Sequence, residues 1–176
     1  MTDKRIEQRG LYFEEFEEGA VYLHRPGRTV TEADNVLFTT LTMNTQSLHL
    51  DAAWSSHTEF GEPLVNSMFT LSTLVGLSVS QLTMGTIVAN LGFSEVSFPA
   101  PVRVGDTLYA ETRIESKRLS SSRPGQGIVE FKHTMRNQVG KVVAVATRST
   151  LMHCLPRGAH TSNASSADHT HPGAQA

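Results

Sequence analysis

Between Ser67 and Leu82 the chain carries no charged side chain. Met68, Leu71, Leu74, Val75, Val79 and Leu82 recur there at spacings of three, three, one, four and three, the rhythm of one helical face. Phe69 and Leu77 add apolar surface beside that face. A helix with so little charge needs apolar cover on most sides. The spacing therefore predicts a central helix over about residues 67–82, with the rest of the chain as its wrapping.

The wrapping is extended. After Gly85, the segments Thr86–Ser97, Asp106–Ser116, Gly127–Arg136 and Lys141–Met152 are rich in Val, Ile, Thr, Phe and Tyr, and Gly, Pro, Ser or Asn bounds each. In the third, Glu130, Lys132 and Thr134 alternate with Val129, Phe131, His133 and Met135, as in a strand with one wet face. Residues 98–106 read as a rigid connector and 137–140 as a hairpin loop. Val21 to Val30 also suits a strand, but Pro26-Gly27 interrupts it and argues for an edge or a bend. Thr31-Glu32-Ala33-Asp34 reads as a capped helix start, and Val36, Leu37, Thr40 and Leu41 fall on one face of that helix. The expected class is α+β, one antiparallel sheet around one long helix.

A chain of 176 residues suits a single domain. Its parts are expected to be an N-terminal segment (1–19) pinned by Tyr12, Phe13 and Phe16, a body (20–155), and a disordered tail (156–176) poor in large apolar side chains. The formal charge of −2 spreads along the chain and marks no nucleic-acid or membrane surface. The polar N-terminus lacks the apolar stretch of a secretory signal, and no apolar run is long enough to span a bilayer, so a cytoplasmic location is expected. Cys154 stands alone with His153 and reads as a spectator thiol rather than part of a zinc site. His160, His169 and His171, and the triplet Asn163-Ala164-Ser165, read as features of a solvated tail.

Chemistry concentrates just ahead of the central helix. Residues 43–48 form a polar loop that ends at His49, residues 50–56 suit a short helical turn, and Gly61-Glu62-Pro63 is loop chemistry leading to the helix start at Asn66-Ser67. Histidine is the side chain best suited to proton exchange near neutral pH. A helix start presents unpaired N–H groups and the positive end of the dipole. Together they are two halves of a possible acid-base and oxyanion site.

In these residues the chain resembles the MaoC-like, or R-specific enoyl-CoA hydratase, family, whose fold is the hot-dog. The family pattern Asp-x-Asn-Pro-aliphatic-His corresponds to Asn44-Thr45-Gln46-Ser47-Leu48-His49, and its later His-Gly pair to Asn66-Ser67. Pro63 and Pro101-Val102-Arg103-Val104-Gly105-Asp106 also match, and the likeness covers about residues 12–155. Arg28–Asp34, Asn44-Thr45-Gln46 and Ser122–Val129 are closest to the subgroup hydrating itaconyl-CoA or mesaconyl-CoA. The resemblance implies a hydro-lyase without metal or redox cofactor, acting on an acyl-CoA as a homodimer with coenzyme A along the subunit interface. It implies His49 as the acid-base, the backbone N–H of Ser67 as the oxyanion donor, and Asn66 beside it. Arg103, Arg118 and Arg123 are candidates for the coenzyme A phosphates or a substrate carboxylate.

The sequence departs from the pattern where the family has its aspartate. Asn44 can hold a water but cannot exchange a proton. The alternatives are that His49 makes both proton transfers, that Glu62 or Asp51 lies nearby, or that the substrate's second carboxylate assists. Two other functions stay open on the same residues: an acyl-CoA thioesterase, and a non-catalytic acyl-CoA-binding or partner subunit.

Overall fold

The computed structural model describes residue 3 and residues 5–156; nearly all of the expected tail, from 157 on, lies outside the described residues. A short 3-10 turn (Phe13–Glu15) precedes β1 (Val21–Thr29), α1 (Glu32–Leu41), α2 (Ser47–Leu50), α3 (Ala52–Ser55) and α4 (Ser67–Leu82). Four strands follow: β2 (Ile87–Ser97), β3 (Thr107–Leu119), β4 (Gln126–Arg136) and β5 (Val142–His153). With β1 they form one five-stranded antiparallel sheet in the order β1-β3-β4-β5-β2, wrapped around α4.

Local chemistry explains the boundaries. Asn66 caps α4, its side-chain oxygen accepting from the Met68 N–H at 2.9 Å. Gly85, at φ 73°, supplies the left-handed residue that turns the chain from α4 into β2. In β1 the pairing with β3 shifts register between His24 and Arg28, where Pro26 lacks a ladder N–H. Only an edge strand tolerates this, and β1 is an edge.

Helix α4 lies over two apolar clusters. Its first turns pack with Val65, Val102, Leu108, Met135 and Val143 through Phe69 and Leu74. Its last residue, Leu82, packs with Phe13, Phe16, Ile114, Phe131 and Met152. Phe13 and Phe16 belong to the N-terminal segment, which is tied down by hydrogen bonds from Gly10 N–H to Met84 O (2.7 Å) and Leu11 N–H to Leu82 O (2.9 Å). A Cβ on Gly10 would come within 2.5 Å of the Thr83 backbone nitrogen, so this contact needs glycine. Between the clusters runs a buried polar belt. His24 Nδ1 donates to Gln81 (2.8 Å), the Thr112 hydroxyl donates to His24 Nε2 (2.7 Å), and His133 Nδ1 donates to Thr112 Oγ1 (2.7 Å).

The apolar face expected on α1 turns outward. Val36, Leu37 and Leu41 are 41%, 60% and 74% exposed, while Asn35 and Thr39 point inward at 2% and 0%. The start of α1 is as expected: the Asp34 N–H donates to the Thr31 hydroxyl and the Thr31 N–H to the Asp34 carboxylate.

Candidate active site

His49 stands not in a loop but on the single turn α2, which packs beside α3 and α1. Its ring is fixed from one side, with Nδ1 2.9 Å from the carbonyl oxygen of Leu64. A carbonyl only accepts, so Nδ1 carries the hydrogen and the neutral ring holds its lone pair on Nε2. Leu64 is itself anchored, its N–H donating to Leu48 O at 3.0 Å, and Val65 N–H donates to Val102 O at 2.9 Å. The chain between His49 and α4 is thus stitched to α2 on one side and to the 98–106 connector on the other.

His49 and Ser67 line one cleft of about 420 Å³, together with Leu48, Phe60, Thr70, Phe98, Ala100 and Val143. Ser67 is the first residue of α4, so its N–H has no intrahelical partner, and Asn66 spends its side-chain oxygen on the Met68 N–H instead. Ser67 is helical, and among the described non-glycine residues only Met43 has positive φ, so serine serves here without backbone strain. The cleft walls are mostly apolar, with one imidazole and one free helix start. Such a site can accept a proton at one point and stabilise a developing oxyanion at another.

The other candidates lie apart. Asn44 does not line the cleft: its Oδ1 accepts from the Gln46 N–H at 3.0 Å and shapes the turn into α2. Glu62 pairs with Arg103, whose guanidinium also reaches the Phe60 carbonyl at 3.4 Å, placing this ion pair on the rim. Asp51 caps α3 through the Trp54 N–H at 2.9 Å. No carboxylate is among the residues lining the cleft, which leaves His49 as its titratable group. Asn66 is buried behind the helix start, its Nδ2 donating to Thr39 Oγ1 at 3.3 Å. Arg118 near the end of β3 and Arg123 in the β3–β4 turn sit at the far end of the sheet, near the second apolar cluster. Within one chain they do not share the cleft with His49. Cys154 is half-buried, and burial and Glu14 push its thiol up, away from thiolate chemistry.

Asn35 is the residue that sequence reasoning missed. Its Nδ2 donates to the His49 carbonyl (3.1 Å) and the Leu64 carbonyl (3.3 Å), and its Oδ1 accepts from the Asn66 N–H (2.9 Å). One buried amide therefore holds the backbone of the acid-base candidate and of the helix start together. The available signal was two polar residues four apart, Asn35 and Thr39, on a helix whose Val36, Leu37 and Leu41 lie on another side.

Known proteins resemble this chain in sequence and in fold. The chain is 29% identical over 151 residues to a mesaconyl-CoA hydratase of Haloarcula marismortui, covering 85% of this chain but only 41% of that protein. It is 29% identical to an (R)-specific enoyl-CoA hydratase of Rhodospirillum rubrum, covering 75% of this chain and 85% of that one. A Mycobacterium tuberculosis protein described as having a double hot-dog fold superposes with a TM-score of 0.77 at 25% identity, over 97% of this chain and 54% of that chain. The fold is accordingly a single hot-dog unit. The model of the MaoC like domain matches residues 15–137, well over half of the chain, and this protein belongs to that dehydratase and hydratase family.

Proposed function

We propose that the protein reversibly hydrates a short enoyl-CoA, with a dicarboxylic acyl group first among substrates: itaconyl-CoA, then mesaconyl-CoA. The observation that carries this reading is the shared cleft of His49 Nε2 and the Ser67 helix start. Water held by His49 adds to the β-carbon and gives its proton to Nε2. Electron density passes to the thioester oxygen, which the Ser67 N–H and the dipole of α4 stabilise. The imidazolium then returns a proton to the α-carbon. With Asn44 turned to the Gln46 N–H and no carboxylate lining the cleft, both proton transfers fall to His49. No metal or redox cofactor enters this scheme.

The unpaired outer edge of β2, the half-exposed Phe93 and Val96 on that strand, and the half-exposed Met68 and Val79 on α4 support assembly as a homodimer. Coenzyme A would then lie along the subunit interface, with Arg103 at the cleft rim, or Arg118 and Arg123, meeting its phosphates. The described residues include no helix long and apolar enough to cross a membrane, and we place the enzyme in the cytoplasm.

The test is the loss of enoyl absorbance on mixing with itaconyl-, mesaconyl- and crotonyl-CoA, alongside His49→Ala. A drop of about 10²- to 10⁴-fold is expected for the variant, and unchanged activity would sink the site. The engagement of Asn44 with the backbone favours one second reading, a non-catalytic acyl-CoA-binding subunit. Tight acyl-CoA binding without hydration would identify it, and release of free thiol would point to a thioesterase.

A further inference from the structure

Arg148 is 3% exposed in the middle of β5, yet its Nε and Nη2 have no hydrogen-bond partner among the described residues. No ion pair of the described residues includes it. Burial lowers its pKa only to about 10, so it stays cationic at neutral pH. An uncompensated buried guanidinium is costly, and the ordinary remedy is a carboxylate on the side-on fork of Nε and Nη2.

Among the described residues its surroundings offer no such group. The guanidinium lies over the Phe131 ring, 5.5 Å from the centroid. Its charged or titratable neighbours are His133 and, beyond it, His24; both are pushed towards the neutral form, chiefly by burial. His133 spends Nδ1 on Thr112, and its Nε2 is a second buried atom without a partner. The side chain points to the α4 side of the sheet, as do the buried Ala144 and Ala146 that precede it on that face. Val143, just before them, lines the His49 cleft. Between Val143 and Arg148 the inward face of β5 therefore carries only the methyl groups of Ala144 and Ala146, over five residue steps or roughly 17 Å of strand. The long arginine stem and a short acyl chain can divide that distance.

We infer that Arg148 is the receptor for the free carboxylate of a dicarboxylic acyl group whose thioester lies between His49 and Ser67. This deepens the proposed function and rests on it for the position of the thioester. The carboxylate takes two parallel N–H bonds from the fork, and a methyl group in its place leaves the cation stranded. Selection of dicarboxylic over monocarboxylic acyl groups then resides in Arg148 and not in the rim arginines.

The test uses two saturated thioesters that cannot be hydrated, succinyl-CoA and butyryl-CoA, which carry a carboxylate and a methyl at the same end. Calorimetric titration of the wild type is expected to show succinyl-CoA binding about 10²-fold more tightly. Arg148→Met should abolish or reverse that preference, and Arg148→Lys, which keeps the charge but loses the fork, should retain part of it. Equal affinities in the wild type, or a preference that survives Arg148→Met, overturns the inference. Thermal melts of each variant show that it is folded, and Arg148→Met is expected to melt no lower than the wild type because it removes an unpaired charge. Should Arg148→Met fail to fold, a wild-type preference that Arg148→Lys leaves at full strength overturns the inference as well. Because neither ligand is turned over by hydration, the result is independent of the enoyl-CoA assay. Absence of hydration with an Arg148-dependent preference would discard the hydratase reading alone.

Discussion

Replacing Asn35 by alanine should be the most damaging single truncation near the cleft. The Leu64 carbonyl would keep its bond from His49 Nδ1, but the Asn66 N–H and the His49 carbonyl would lose theirs. A buried polar group left without a partner costs about 1–3 kcal/mol, so two give about 2–6 kcal/mol, and we expect a value near 4 kcal/mol. That is a large share of the 5–15 kcal/mol typical of a domain. With a urea dependence of about 2 kcal/mol per molar, the unfolding midpoint should fall by about 2 M. Thr39→Val is the near-isosteric companion: it strands only the 3.3 Å bond from Asn66 Nδ2 and should cost about 1 kcal/mol. Folded Asn35→Ala should also lose hydration rate, because the two groups it aligns would drift, and a shift of about 1 Å costs roughly 10²-fold. A loss of stability below about 1 kcal/mol would refute the assignment of Asn35 as the link between α2 and α4.

Three further outcomes follow from the geometry. Asn44→Asp should leave both stability and crotonyl-CoA turnover nearly unchanged, since the new carboxylate can accept from the Gln46 N–H as the amide does; a marked rise in turnover would instead bring this position into proton transfer. Burial holds His133 neutral with a pKa of about 3, whereas the unfolded ring titrates near 6.5. The unfolded state therefore binds the extra proton between these values, so stability is full above about pH 6.5 and declines as the pH falls towards about 3. His133→Leu should flatten that decline in acid-unfolding curves. Gly10→Ala, which drives a Cβ into the Leu82–Thr83 backbone, should cost about 1–3 kcal/mol in urea denaturation, and a neutral effect would mean that the N-terminal segment does not pack as described.

The periodic parts of the chain were legible before the structure. The apolar rhythm of residues 67–82 marks α4 at both ends, and Pro26-Gly27 marks β1 as an edge, because each signal is local. The orientation of α1 was not legible. Periodicity shows that a helix has two faces, and here the buried one carries the polar pair Asn35 and Thr39, because it meets the backbone of His49, Leu64 and Asn66 and the Asn66 amide. His49 was readable as a candidate, but not the one-turn helix that carries it or the carbonyl that sets its tautomer. Arg148 gave no sign at all. In sequence it is one arginine in a strand with Thr147, Ser149 and Thr150 around it, and only the packing of α4 over the sheet makes it an interior cation.

The polar belt of His24, Thr112 and His133 acts as a bulkhead across the hull of the domain. Its side chains bond one another, and the two apolar clusters share no buried residue, so damage in one has little apolar continuity with the other. Lesions at the Gly10 and Phe13 end and at the Asn35 end should then subtract independently, their combined cost matching the sum to within about 0.5 kcal/mol.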